Sequence, residues 1–437
     1  MEAKDLLPID IELDEPCDPY VDAVAELEEA AQHLDLETWI VNKLRHCERE
    51  MLLNIPIVRD DGTAVSFTAF RTQHVCWRGP TLGAVSFMPN AHISAVRGGA
   101  MKATWQAALL EVPTGGAVGA IVCDPVSLSE RELRQLARDY VFGLRGLLGR
   151  HSDTVMPGVG SNEQIMSWML DAHAQTLGRM EPGTITGVPA ALSGLSWTAD
   201  PLARGVLAVL RYLLAGGHNR KTNGSTHRNS RVLARQAIVV QGYGPFGASI
   251  ARTLYENGAR ITGVADVSGA VCNTQGLDIP ALEEYAKKNG VLFGFPEAEP
   301  VRNLDLLESE CDVLVTAATE RQITSAIVHK IKAPVVVEAT RSAITHAAMA
   351  NLRSRDITVV PEILATAGGL LSSHLEWRHA EQVSSPSAEE LDIEIERRAV
   401  KTCKLLFEYA DAHDLTPDRA AIVLAVDRIA REMRLRR

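Results

Sequence analysis

Aromatic residues make up only 5% of this 437-residue sequence, and most markers of a specialised environment are missing with them. The seven cysteines are scattered from Cys17 to Cys403, odd in number and never in C-x-x-C spacing. That pattern argues against a disulfide framework and against a zinc site, and it predicts thiols used as small buried hydrophobes. No apolar run approaches the roughly 20 residues of a membrane span, and Met1-Glu2-Ala3-Lys4-Asp5 lacks a signal peptide's apolar core, so a cytoplasmic location without membrane contact is expected. Basic residues are outnumbered, 44 Lys and Arg against 55 Asp and Glu, and the formal net charge of −11 gives no electrostatic footing for nucleic acid. What remains is an ordinary globular composition, 46% hydrophobic and 23% charged, in a chain long enough for two domains with separate cores.

The strongest local signal starts at Ala237-Ile238-Val239-Val240, a β-branched run that reads as a buried strand and leads directly into Gly242-Tyr243-Gly244-Pro245-Phe246-Gly247. A helix is expected at once, because Pro245 suits a first helical turn and Phe246, Ile250 and Leu254 recur at four-residue spacing as a sheet-facing stripe. A second strand, 259–265, ends in Asp266. In a dinucleotide-binding turn Gly242 would permit the tight bend, Gly244 would let the backbone approach a pyrophosphate, Gly247 would let helix and strand close up, and Asp266 would accept from a ribose hydroxyl. Further strands are expected at 312–316, 335–339 and 357–360 with helices between them, the pattern of a doubly wound parallel sheet.

Upstream the pattern is mixed α+β. Residues 18–50 read as helical, then 55–58 and 64–70 flank a hairpin turn at Asp61-Gly62. Short strands are expected near 83–87 and 117–123, with a helix carrying Met101, Trp105 and Leu109 between them, and Ser129 with Glu132 forms a capping box that starts another helix. Amphipathic helices close the chain, and the division expected is 1–205 for substrate binding and oligomerisation, 206–375 for a Rossmann-type domain, and 376–437 for helices returning across the junction. The loop 217–231, with Arg220, Lys221, Arg228 and Arg231, reads as a solvated surface loop or an anion contact.

Taken together these elements resemble the glutamate/leucine/phenylalanine/valine dehydrogenases, the glutamate branch most. The resemblance rests on Gly242–Gly247, Asn273-Thr274-Gln275-Gly276-Leu277-Asp278, Pro361-Glu362-Ile363-Leu364-Ala365-Thr366-Ala367-Gly368-Gly369 and Glu376-Trp377 in the second half. In the first half it rests on Arg78-Gly79-Pro80, Thr104-Trp105, Pro113-Thr114-Gly115-Gly116-Ala117 and Gly160-Ser161-Asn162-Glu163. It implies a two-domain hydride-transfer enzyme, usually a homo-hexamer, that deaminates an α-amino acid with NAD, NADP remaining open because family members with an acid in the place of Asp266 accept either. Ala317, Ala318 and Thr366, which replaces an asparagine beside the nicotinamide, join the implied cofactor contacts. No metal is implied.

The departures fall where the resemblance places the chemistry. The lysine that activates water in the family's P-x-G-G-A-K-G-G motif aligns with Val118. Two lysines that hold substrate carboxylates align with Leu82 and Gln106, a proton-handling aspartate with Gly158, the lysine of T-G-K-P with Val188, and a threonine near the nicotinamide amide with Leu202. Arg341 replaces an asparagine and has two equally open readings, a relocated carboxylate anchor or the partner of Glu338 or Glu362. Ser373 matches a serine at the distal end of the substrate. Ser161 and Asn162 read as loop organisers, and His346 and His374 as structural residues. General acid–base help is worth about 10²- to 10⁴-fold and a charge-assisted bond about 1.5–3 kcal/mol, so these losses together should nearly abolish glutamate turnover. Two functions fit: an NAD(P)-dependent oxidoreductase acting on another amine, imine or carbonyl through a pocket of Leu82, Gln106, Val118, Arg341 and Ser373, or an inactive paralogue that binds NAD(P) or a metabolite and joins an active dehydrogenase chain. The intact nucleotide fingerprint tilts the sequence reading towards the first.

Overall fold

The computed structural model describes residues 18–216, 232–382 and 385–437, so the basic loop 217–231 and Cys17 lie outside it. Within the described residues the chain forms two compact units. One, the mixed unit, gathers 18–198 with 370–393 and 422–437; the other, the α/β unit, gathers 199–369 with 394–421.

The mixed unit begins with α1 (Pro19–His33) and α2 (Thr38–Leu44), followed by β1 (Arg49–Val58) and β2 (Ala64–Gln73). The single helix expected over 18–50 is therefore broken. Asp35 adopts a left-handed φ of 48° that ends the first helical run, and the chain from Arg49 is recruited by strand pairing with β2, Arg49 opposite Gln73. Tertiary pairing overrides local periodicity there. The hairpin turns at Asp61-Gly62 as expected, with Gly62 at φ +85°. Next come β3 (Thr81–Met88), α3 (Ile93–Leu109), β4 (Gly115–Val122), α4 (Glu130–Gly143), β5 (Asp153–Pro157) and α5 (Glu163–Leu177), giving a sheet in the order β1-β2-β4-β3-β5. The Ser129/Glu132 capping box is present at the start of α4.

One buried ion pair ties three strands of this sheet together. From β2, Arg71 reaches Asp153 at the start of β5 with Nε–Oδ2 2.9 Å and Nη2–Oδ1 2.6 Å, and both residues are fully buried. The guanidinium also donates to the carbonyls of Gly83 (3.1 Å) and Thr154 (3.1 Å), while the Thr81 hydroxyl donates to Asp153 Oδ1 at 2.7 Å. Gly119 on β4 leaves the path open: a Cβ there would lie 2.1 Å from the Tyr140 hydroxyl and 3.3 Å from Arg71 Cδ.

The α/β unit runs α6 (Pro201–Leu214), β6 (Ala237–Gln241), α7 (Pro245–Glu256), β7 (Arg260–Asp266), β8 (Gly269–Cys272), α8 (Ile279–Asn289), β9 (Glu299–Val301) and α9 (Asn303–Leu307). It continues with β10 (Val313–Thr316), β11 (Val335–Glu338), α10 (His346–Ser354), β12 (Thr358–Val360) and α11 (Glu362–Ala365), and α12 (Ala367–His379), α13 (Ala388–His413) and α14 (Pro417–Leu435) complete the chain. The sheet order is β12-β11-β10-β6-β7-β8-β9, so connections from β6 run to one side through β7 and then cross to β10 on the other. Five strands are parallel, β12 through β7, as the sequence predicts; β8 and β9 add an antiparallel edge that their shortness hid. In α7, Ile250 and Leu254 are fully buried, but Phe246 is 38% exposed and leaves the expected stripe. The helix follows the carboxyl end of β6 after the turn Gly242-Tyr243-Gly244.

Because a buried charge that loses its partner is left uncompensated, Arg71→Met and Asp153→Leu should each lower stability by about 3–5 kcal/mol, and the double variant should lose less than the sum. Urea denaturation monitored by circular dichroism measures this, and additive losses would show that the pair is not coupled.

Candidate functional site

The turn from β6 into α7 is built by backbone crowding. Gly242 sits at φ +104°, its N–H donates to the Ala265 carbonyl at 3.0 Å, and a Cβ on it would fall 2.4 Å from the Ala318 nitrogen. A Cβ on Gly247 would lie 1.8 Å from the Gly242 carbonyl oxygen. Both positions exclude any side chain. Gly244 differs, for nothing lies within 4 Å of where its Cβ would be. It precedes Pro245 at the first position of α7 and no side chain caps the helix, an arrangement that leaves room for an external anion at a positive helix end. Ala317 lies across the turn, its N–H bonded to the Gln241 carbonyl at 2.7 Å, with Ala318 next to it. Asp266 ends β7, the strand beside β6, and Thr366 caps α11 with its hydroxyl on the Glu362 carbonyl at 2.8 Å. A dinucleotide fits this set: the open Gly244 face for a pyrophosphate and the Asp266 carboxylate for a ribose hydroxyl.

In the mixed unit, three of the four positions that the resemblance assigns to lysines, Val118, Val188 and Leu82, are apolar and buried. Val118 on β4 is 5% exposed and packs with Phe70, Val96 and Ala100. Val188 belongs to a different cluster, with Val85, Val155, Ile165 and Met166. Leu82 on β3 is buried and Gln106 on α3 half-buried. At Gly158 a Cβ would come within 2.7 Å of the Ser86 hydroxyl and of the Val85 carbonyl, so the local backbone has closed over the space an aspartate needs. Ser161 binds the Gly158 backbone from both sides and Asn162 caps α5 through the Ile165 N–H, each an organiser of its loop. In the α/β unit Leu202 lies over Gly369, 3.9 Å from its Cβ position.

Arg341 directs Nε to Glu362 Oε1 at 3.4 Å, and Glu362 Oε2 accepts the Ser342 N–H at 3.2 Å. Of its two readings, pairing with Glu362 is the one with contacts. His346 is exposed at the start of α10, and His374 is buried and stacked on Trp377 with ring centroids 5.7 Å apart. Ser373 is buried on α12.

One turn beyond Ser373 lies Glu376, whose role no local sequence pattern signals. Its carboxylate is 4% exposed and accepts the N–H groups of Gly187 (3.0 Å) and Val188 (3.5 Å). Burial pushes its pKa up to about 7; the two N–H donors oppose the shift and Glu163 adds to it. The available signal was that the resemblance quotes Glu376 and implies a lysine at Val188, whose backbone the carboxylate contacts. A carboxyl whose folded pKa lies above its unfolded value stabilises the fold below the unfolded pKa, and that contribution is lost as pH rises through about 7. A loss of roughly 3 kcal/mol between about pH 4.5 and 7.5 is therefore expected from this residue, and Glu376→Gln should flatten that slope in denaturation curves taken across the range. An unchanged slope in the variant would assign the pH dependence elsewhere.

Comparison with known proteins agrees with this architecture. The sequence model described as "Glu/Leu/Phe/Val dehydrogenase, dimerisation domain" matches residues 47–175, and that described as "Glutamate/Leucine/Phenylalanine/Valine dehydrogenase" matches residues 221–437. Glutamate dehydrogenase A2 of Halobacterium salinarum is 33% identical over 413 residues, covering 94% of this chain and 96% of that protein. The cryptic catabolic NAD-specific glutamate dehydrogenase of Bacillus subtilis is also 33% identical over 413 residues, 94% of each chain. Among solved structures, the hetero-hexameric glutamate dehydrogenase from Thermus thermophilus in its Leu-bound form superposes with a TM-score of 0.88 at 32% identity, covering 97% of this chain and 98% of that one. With matches that extend across both units, this chain belongs to the glutamate/leucine/phenylalanine/valine dehydrogenase family.

Proposed function

We propose that this chain is a nucleotide-binding subunit that does not itself deaminate glutamate and that assembles with a catalytically competent dehydrogenase chain, whose activity it regulates. The observation that carries the reading is Val118, sealed among Phe70, Val96 and Ala100 where relatives are expected to hold the water-activating lysine. Valine transfers no proton, and the position is only 5% exposed. Gly158 has lost the room for an acid, and Arg341, the cation nearest to serving as a substitute carboxylate anchor, engages Glu362. Assembly has support in two places. β1 is the edge strand of its sheet and presents Met51 and Leu52, 37% and 65% exposed, beside unpaired backbone groups. A relative at 32% identity is a hetero-hexamer.

The nucleotide, NAD by preference, would be held by Gly242, Gly244, Pro245, Phe246, Gly247 and Asp266, with Ala317, Ala318 and Thr366 bordering it. When bound it supplies hydride-transfer chemistry or, in a regulatory chain, binding energy alone. The open face at Gly244 also favours a second reading, an NAD(P)-dependent oxidoreductase acting on an amine, imine or carbonyl that needs no lysine base.

For the purified chain, glutamate oxidation at least about 10³-fold below that of an active family member is expected. Co-expressed with an active paralogue from its native cell, it should co-purify and change that partner's kcat or KM. Glutamate turnover at ordinary rates by the chain alone would overturn the reading, and NADH oxidation with a ketone, aldehyde or imine from a broad panel would replace it with the second. On the nucleotide itself, Gly244→Ala should leave the melting temperature unchanged and weaken NADH binding in calorimetry, because its Cβ meets only the ligand's space. Gly247→Ala should lower the melting temperature, since its Cβ meets the Gly242 carbonyl.

A further inference from the structure

The acid at the end of β7 is held more firmly than a ribose contact requires. Asp266 Oδ1 accepts the Ser268 N–H at 2.7 Å and the Ser268 hydroxyl at 2.5 Å, and Oδ2 accepts the Leu292 N–H at 3.1 Å. The Ser268 oxygen itself accepts the Phe293 N–H at 3.3 Å, and the Asp266 carbonyl accepts from Asn303 Nδ2 at 2.9 Å. Three separate segments meet here: the turn between β7 and β8, the loop after α8, and the first residue of α9. Ser268 joins the first two through its hydroxyl, beside the Leu292 N–H on Asp266.

A carboxylate that contacts only a ribose can swing away when the 2′-hydroxyl is replaced by phosphate. That freedom explains how an acid at this position is compatible with either nucleotide. Asp266 lacks the freedom, because rotating it breaks bonds to Ser268 and Leu292, and each charge-assisted bond is worth about ten-fold or more in an equilibrium constant. With Oδ1 taken twice and Oδ2 once, Oδ2 retains one lone pair able to accept from a hydroxyl. A phosphate brings no proton to donate and places like charge against an oxygen that does not retreat.

Resting on the reading of this unit as nucleotide-binding, we propose that Ser268 is a positioning residue that locks Asp266 and so makes the site accept the unphosphorylated dinucleotide and reject its 2′-phosphorylated form. The lock rather than the acid alone decides cofactor choice in this chain.

Calorimetric titration of the full chain with NADH and with NADPH tests this in wild type, Ser268→Ala and Ser268→Thr. Wild type should favour NADH by at least about 50-fold, and Ser268→Ala should cut that ratio about ten-fold through tighter NADPH binding, with NADH affinity within about three-fold of wild type. Ser268→Thr keeps the hydroxyl and should restore the wild-type ratio. A merely structural role would weaken both nucleotides alike and leave the ratio alone, which overturns the proposal, as does a wild type that binds both equally. If wild type binds neither, the nucleotide-binding reading itself falls, an outcome distinct from binding without discrimination. Should Ser268→Ala melt early, Ser268→Cys keeps the volume, weakens the donor and carries the same comparison.

Discussion

Close approach of backbone to backbone at Gly242 is the constraint on which the α/β unit depends. The residue is held between the Ala265 carbonyl at the end of β7 and the Ala317-Ala318 turn at the end of β10, with Gly247 closing from behind. Strand order reverses between β6 and β10, so the loops on either side of β6 diverge and leave a crevice at the carboxyl edge of the sheet. Any side chain at Gly242 or Gly247 would push α7 off β6 and fill that crevice. The same crowding fixes the distance between the α7 first turn and Asp266, and so the length of ligand that can lie across them.

The mixed unit follows the opposite logic for its charges. Where a charge is structural it is buried and fully paired, as in Arg71 with Asp153, whose oxygens and guanidinium nitrogens are taken up by Thr81, Gly83 and Thr154. An active-site lysine needs the reverse, a buried amine kept partly uncompensated so that it gives up its proton near neutral pH. Val118, Val188 and Leu82 have none of this tension, and their clusters are ordinary cores. Glu376 differs from them: a buried acid that accepts two backbone N–H groups, from Gly187 and Val188, with its pKa pushed up to about 7 by burial. Removing the opposing charge from position 188 would have this consequence.

How much of this was legible in the sequence depended on whether the deciding interaction was local. The β6 strand, the glycine turn and the Ser129/Glu132 cap are each specified within a few residues, and they were read correctly. β5 was not anticipated, because Asp153 looks unsuited to a buried strand until Arg71, 82 residues away, arrives to neutralise it. The early part of β1 was read as helix because its partner strand lies across a turn and its outer face is solvent. Arg341 stayed ambiguous for a similar reason, as Glu362 is brought to it by the intervening α10 and β12. Family resemblance implies lysine at position 118 and aspartate at 158, but only side-chain surroundings reveal that Val118 is buried among apolar residues and that Gly158 has little room for a side chain.

On the proposed reading, a nucleotide-binding subunit has a physically limited way to act on a partner. Binding energy influences an assembly only to the extent that the nucleotide favours one arrangement of it over another, and coupling of this kind typically amounts to about 1–3 kcal/mol. Linkage then makes the effect mutual: whatever the nucleotide does to the partner's affinity for its own ligands, those ligands must do to nucleotide affinity here. Such a role places selection pressure on the cradle and on the edge strand β1, and none on a proton-transferring lysine. An oxidoreductase with a new substrate would keep the same cradle, yet it would also need a polar anchor for that substrate, which would fall to the donors Arg341 does not direct at Glu362.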